Sequence, residues 1–303
     1  MRRVGELMFM SDLVHNQFLG LASVGKDRAD VRILPIPFEK TVTYGCGTSS
    51  GPMAILDASL QVEYFDEETL VDFQQSPKLY TFPALLDNEA ETVEDYLDIL
   101  QKRVMPLRDK FLFGLGGEHT ITYGIVKGLV DDASEVTVVQ IDAHADLIDE
   151  LDQVRWSHGT VMRRLWEEGC RIIQIGIRSL SRSEYELIDA GERITTYFAH
   201  RLDEQWSQVL QTLHNLEGPV YLTIDVDGLD PAIIPSTGTP QPDGLSWRQT
   251  IDIIREIALS RRIHWIGADM VEFVPSPQPP GCDLTAAKLA AKVLAWWQAG
   301  RRK

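Results

Sequence analysis

Six short stretches of the chain are apolar almost from end to end: 31–36, 111–115, 136–141, 172–176, 220–224 and 263–268. Successive side chains of a strand point to opposite faces, so a strand apolar throughout is one covered on both faces. Between these runs lie longer segments, at 92–107, 120–130, 159–168, 204–215, 246–260 and 283–298, with apolar residues at helical spacing. Such alternation predicts parallel strands joined by right-handed crossovers, in a three-layer α/β/α arrangement with a mainly parallel sheet. At 303 residues, 44% of them hydrophobic, one domain spanning 1–303 is expected, since no repeat or linker divides it.

Several runs end in residues that a core has no use for. Val136–Ile141 leads directly into Asp142-Ala-His-Ala-Asp146, and Val220–Ile224 into Asp225-Val-Asp227. Phe111–Leu115 leads into Gly116-Gly-Glu-His119. Residues two apart on an extended strand share a face, so Asp142, His144 and Asp146 can aim at one point, as can Asp225 and Asp227. The carboxyl ends of strands in open α/β sheets are also where ligands bind. One Asp-x-His-x-Asp alone could be an N-cap in a solvated turn. Three strands ending in Asp or His point to one shared site.

Two histidines (119 and 144) and four aspartates (142, 146, 225 and 227) exceed what a structural zinc takes, and thiolates are missing. Hard carboxylates with imidazole suit manganese, with nickel or cobalt left open. Four carboxylates balance two divalent cations, and such a pair lowers the pKa of a shared water toward neutrality. The residues predict a binuclear metal hydrolase.

The segments Gly116-Gly-Glu-His119, Asp142-Ala-His-Ala-Asp146, Ser157-His-Gly-Thr160 and Asp225-Val-Asp-Gly-Leu-Asp-Pro231 resemble the ureohydrolase (arginase/agmatinase) family. So do Thr237-Gly-Thr-Pro240, Met270-Val-Glu-Phe-Val-Pro275 and the early Tyr44-Gly-Cys-Gly-Thr-Ser-Ser-Gly-Pro52. The motifs stand in the family's order and span nearly the whole chain. The resemblance implies an arginase-like fold with two Mn2+ ions. His119, Asp142, Asp146 and Asp225 would hold one ion, and His144, Asp142, Asp225 and Asp227 the other. It further implies that His158 shuttles protons, that Glu272 binds the guanidinium and that Asp146 orients the nucleophile. The chain carries Glu118 where the family more often has Asp, which leaves the ligand His119 untouched. A trimer or hexamer is implied as well.

Arginine-specific members carry polar residues for the α-amino acid end; Ile148 and Ser179 occupy the corresponding positions here. Asp149, Glu150 and Asp152 follow, and acids at a pocket mouth would favour a second positive charge on the substrate. Agmatine, hydrolysed to putrescine and urea, is therefore the expected substrate, with N1-aminopropylagmatine and guanidinobutyrate as alternatives. A single-zinc deacetylase on the same fold would need a His-His pair, which the motifs lack. A catalytically silent binding or assembly homologue would be expected to lose ligands, His158 or Glu272, and all are retained.

A formal charge of −16 argues against nucleic acid and acidic membrane partners and suits small cations. No run reaches the roughly 18 apolar residues of a membrane span. Glu6 and Asp12 follow Met1-Arg-Arg before any long apolar run, so no signal peptide is expected. Three scattered cysteines, 46, 170 and 282, suggest reduced thiols and a cytoplasmic location. Cys46 is expected to pack in its loop, Asp230 and Asp269 to serve turns or backbone, and Trp296 and Trp297 to face a subunit interface.

Overall fold

The computed structural model describes residues 17–86, 90–275 and 281–302. The stretch Met1–Asp12, on which the leader expectation rests, lies outside them. Runs rich in β-branched and aromatic residues fold as strands. They are Val31–Ile36 (β1), a small hairpin Phe65–Asp66 (β2) and Val71–Asp72 (β3), Leu79–Thr81 (β4), Phe111–Gly116 (β5), Thr137–Ile141 (β6), Arg171–Ile177 (β7), Ile194–Phe198 (β8), Gly218–Asp225 (β9) and Ile263–Val271 (β10). Apart from the hairpin they form one eight-stranded sheet in the order β4-β1-β5-β10-β9-β6-β7-β8. Every pairing in it is parallel.

The helices are Gly51–Ser59 (α1), Val93–Val104 (α2), Ile121–Leu129 (α3), Val161–Glu167 (α4), Arg182–Asp189 (α5), Leu202–His214 (α6), Trp247–Leu259 (α7) and Cys282–Arg301 (α8). Ile55 of α1, Val209 of α6, Ile254 of α7 and Leu289 of α8 build a core on one face of the sheet. Leu100 of α2, Ile125 of α3 and Met162 of α4 build a second core on the other. With helices over both faces, β1, β5 and β6 expose no residue, as their largely apolar runs predict.

The sheet order explains why a site forms where it does. The chain lays down β6, β7 and β8 outward to one edge, then returns to place β9 and β10 between β6 and β5. The four central strands therefore carry the His119, Glu272, Asp225 and Asp142 segments side by side. Close backbone packing locks two of these ends. A Cβ on Gly117 would lie 2.0 Å from the Phe38 carbonyl oxygen, and one on Gly228 would lie 2.6 Å from the Asp142 nitrogen. Neither position tolerates a side chain.

Several expectations are corrected. Helices α1 and α5 and strands β4 and β8 form where no element is predicted, and β10 runs to Val271 rather than ending at 268. Trp296 and Trp297 are buried within this chain, Trp297 against Phe111 with ring centroids 4.8 Å apart, so they offer no exposed interface. Asp230 does bind backbone, accepting from Ala232 and Gly244. Asp269 instead accepts from the hydroxyls of Thr122 and Tyr221, each at 2.7 Å. Buried Lys292 on α8 reaches Asp66 of the hairpin at 2.7 Å. Among the described residues no helix is long and apolar enough to cross a membrane.

Candidate metal centre

Asp142 begins the loop after β6 and is fully buried. Its carboxylate is oriented by the chain around it: Oδ1 accepts the His144 amide at 2.6 Å and Oδ2 accepts Gln140 Nε2 at 2.7 Å. Asp225 closes β9 and accepts the Asp227 amide at 2.8 Å, while Asp227 Oδ1 accepts the Ala143 amide at 3.0 Å. The β6 and β9 ends are thus tied to each other. His119 and the five other predicted ligands come together on these loops.

Two donor groups result, His119/Asp142/Asp225 and Asp142/His144/Asp227, each with ligand atoms within 4.8 Å of one another. Asp142 belongs to both. His119 Nδ1 lies 3.1 Å from Asp142 Oδ2, 3.0 Å from Asp146 Oδ2 and 3.6 Å from Asp225 Oδ2. His144 Nδ1 lies 3.0 Å from Asp227 Oδ2 and 3.8 Å from Asp142 Oδ1.

The donor chemistry fits divalent ions. His119 Nε2 lies 2.8 Å from the Thr223 hydroxyl, which stands near Thr122 and, through it, Asp269. Donation from Nε2 to Thr223 leaves a lone pair on Nδ1, the arrangement of a metal-binding imidazole with its outer partner. That Nδ1 is buried and makes no hydrogen bond, although three carboxylate oxygens surround it. A lone pair facing three carboxylates is unfavourable without a positive charge between them.

The titration behaviour has the same cause. Burial, with Asp146 and Asp227 beside it, pushes the Asp142 carboxyl up to about 7. Burial, with Asp227 and Asp142, pushes Asp225 well above the usual carboxylate range. Burial would lower both imidazoles. It is outweighed at His119 by Asp142 and Asp146, and at His144 by Asp227, which carries His144 to about 10. At Asp227 burial is outweighed by His144, which draws the carboxyl down to about 2. Acids this crowded either take up protons or share cations.

Glu272 follows β10, and its Oε1 accepts the His119 amide at 2.7 Å. Burial pushes its carboxyl well up against that bond, helped by Glu118 and Asp227. Glu272 and Asp146 both hold left-handed backbone, with φ of 61° and 54°. For residues bearing a side chain this stores strain, which recurs at functional sites. His158 stands in the turn preceding α4, with its Nδ1 3.3 Å from the Thr41 hydroxyl.

A cavity of about 250 Å³ joins His119, His144, Asp146, His158, Asp225, Asp227 and Glu272. Its lining also includes Tyr44, Ile148, Leu151 and Leu180. Ile148 and Leu151 line the cavity, while Asp149, Glu150 and Asp152 beside them are exposed and are not among its lining residues. Asp149 instead pairs with Arg164 at 2.5 Å. Cys46 is exposed and lies outside the lining. A larger cavity, about 470 Å³, opens at the opposite ends of β5, β9 and β10, beside Lys110 and Trp265, away from the acid cluster.

Sequence reasoning missed Glu184, Thr41 and Thr223. Glu184 lines the cavity and accepts the amides of Leu147 and Ser181 at 2.9 and 2.6 Å. The Ser181-x-x-Glu184 spacing of a capping box was the available signal. Thr41 and Thr223 offered none.

Carboxylates and imidazoles gathered at the carboxyl ends of central parallel strands define a metal-dependent α/β hydrolase. Residues 29–296 match the model of the arginase family. The chain is 33% identical over 282 residues to an N(1)-aminopropylagmatine ureohydrolase of Synechocystis sp., covering 91% of each. It is 31% identical to an agmatinase of Halalkalibacterium halodurans, covering 89% of this chain and 93% of that one. The crystal structure of the agmatine ureohydrolase of Thermoplasma volcanium superposes with a TM-score of 0.86 at 27% identity, covering 98% and 99%. The chain belongs to the arginase family and is an amidinohydrolase, a ureohydrolase of the agmatinase-like kind.

Proposed function

We propose that the protein hydrolyses agmatine to putrescine and urea, using two Mn2+ ions held by His119, Asp142, His144, Asp146, Asp225 and Asp227. The observation that carries this reading is a cavity lined by residues of both donor groups, by Glu272 and by the apolar side chains of Ile148, Leu151 and Leu180. A guanidinium is a poor electrophile, so its carbon must be held in position against a strong nucleophile. The bound metal pair supplies that nucleophile from water near neutral pH and offsets the developing negative charge. Glu272 takes the guanidinium by charge-assisted hydrogen bonds, its Oε1 already fixed by the His119 amide. A cationic partner also returns its raised pKa toward the ordinary range. Asp146 orients the nucleophile, and His158 carries a proton to the departing amine. Ile148, Leu151 and Tyr44 receive the methylene chain, a surface that suits agmatine better than the polar end of arginine.

A second reading is N1-aminopropylagmatine, favoured by the 33% identity to the Synechocystis sp. ureohydrolase. Both readings include one domain over 1–303 and a cytoplasmic homo-oligomer, a trimer or hexamer. The test is urea release, with manganese added, from agmatine, N1-aminopropylagmatine, guanidinobutyrate and arginine. The highest kcat/KM is expected for agmatine. A higher value for the aminopropyl compound selects the second reading, and no urea from any of them overturns both.

A further inference from the structure

We infer that Thr41 and Glu118 form a positioning pair that fixes the tautomer of His158. The inference rests on His158 being the proton carrier of the proposed reaction. The Glu118 carboxylate is buried, and its Oε1 accepts the backbone amides of Lys40 and Thr41. Its Oε2 accepts the hydroxyls of Thr41 and Thr120. Two amides on Oε1 and two hydroxyls on Oε2 fill the acceptor sites of an ionised carboxylate, and bonds to carboxylates are roughly twice as strong as neutral ones.

The Thr41 hydroxyl has one hydrogen, and Glu118 takes it. Toward every other neighbour Thr41 Oγ1 must then accept. Those neighbours are the His158 backbone amide and His158 Nδ1, both at 3.3 Å. One donor and two lone pairs are thereby used in full. A hydroxyl that can only accept from Nδ1 requires Nδ1 to carry the proton, which leaves Nε2 as the basic nitrogen. His158 lines the reaction cavity, so proton exchange with the departing amine runs through Nε2. Thr41 lies 117 positions from His158 and 77 from Glu118, so only the fold unites the three. Thr41 and Glu118 touch neither substrate nor metal in this scheme and act through the imidazole.

A double-mutant cycle with agmatine and N1-aminopropylagmatine tests this. Thr41→Val is expected to lower kcat at least tenfold, bounded by the roughly 10²–10⁴-fold that removing a general acid–base group costs. KM and metal content are expected to stay within about twofold, since neither depends on the imidazole proton. Thr41→Ser should restore most of the rate. In a His158→Ala background Thr41→Val should add no further loss, because the pair acts only through His158. Independently of activity, ring 15N shifts of His158 in the full chain, without paramagnetic metal, should report Nδ1–H and change in Thr41→Val. Losses that multiply in the double variant, a change confined to KM, or an Nε2–H ring overturn the inference. Normal turnover in Thr41→Val beside a crippled His158→Ala sinks the pair alone. Normal turnover in His158→Ala removes the shuttle reading itself.

Discussion

Replacing Asp142 with Asn should have two effects of opposite sign. Asp142 is buried, shared by both donor groups, and held up at about 7 by burial and by Asp146 and Asp227. A rise of roughly three units corresponds to about 4 kcal/mol against the ionised form. Asn has no charge to bury and can still accept the His144 amide, but it loses the carboxylate acceptor for Gln140 Nε2. That lost bond costs about 1 kcal/mol, leaving a net gain of roughly 3 kcal/mol for the metal-free variant. The folded-state pKa is raised, so the penalty on the wild type is full above about pH 7 and fades as pH falls. It is absent below the unfolded value of about 3.9. Metal-free Asp142→Asn should therefore outlast the wild type in denaturant at about pH 8 and lose that advantage near pH 4. Metal binding moves the other way. One unit charge about 4 Å from a divalent ion, at an effective dielectric near 20, is worth about 8 kcal/mol before the cost of desolvation, so affinity for each ion should fall by at least roughly 10³. Denaturant melts of stripped protein and metal content by atomic absorption measure both. A variant less stable than wild type at the higher pH, or one that keeps two ions, refutes the reasoning.

Glu272→Gln keeps an acceptor for the His119 amide but removes the charge, so kcat/KM for a guanidino substrate should fall roughly 10–100-fold with metal content unchanged. Unaltered steady-state kinetics would mean that the guanidinium is held elsewhere. Lys292→Met strips buried Asp66 of its nearest cation, 2.7 Å away, and should cost about 3–5 kcal/mol in a denaturant melt. Burial tends to raise the Asp66 carboxyl, but Lys292 and Thr69 outweigh it and hold it low. The pair's contribution is thus present above about pH 4 and lost as pH drops through the folded-state value. A Met variant as stable as wild type at neutral pH would show that the pair contributes nothing.

What could be read from the chain divides by physical range. Strands such as Thr137–Ile141 are covered on both faces, and that burial writes a mostly apolar run into the sequence. Leu79–Thr81 and Ile194–Phe198 lie at the sheet's two edges, where they are short or partly exposed, and their runs carry no such mark. The six candidate ligands were legible because a strand's period of two is local, and because an uncompensated acid at a strand end is conspicuous. The role of Asp149 was not legible for the complementary reason. A charge in a loop does not disclose whether it faces a cavity or an arginine such as Arg164, 15 positions on. Thr41 is an ordinary threonine until β1 and β6 bring its loop to His158.

The site collects what the rest of the fold avoids. Asp146 and Glu272 sit in left-handed backbone, each at a cost of order 1–3 kcal/mol, beside acids that repel one another. Such conformations persist only where the surroundings over-determine them. The Glu272 amide is tied to the Gly117 carbonyl at 2.8 Å, and the Asp146 carbonyl to the Arg163 amide at 3.1 Å. Glycine at either position would relax the backbone and delete the carboxylate, so the strain falls on two of the proposed site residues. The turn at Glu272 brings its Oε1 back to the amide of His119, which starts the neighbouring loop. The left-handed turn is therefore what ties the Glu272 carboxylate to the backbone of His119, so that the β10 and β5 ends are held to each other at the cavity.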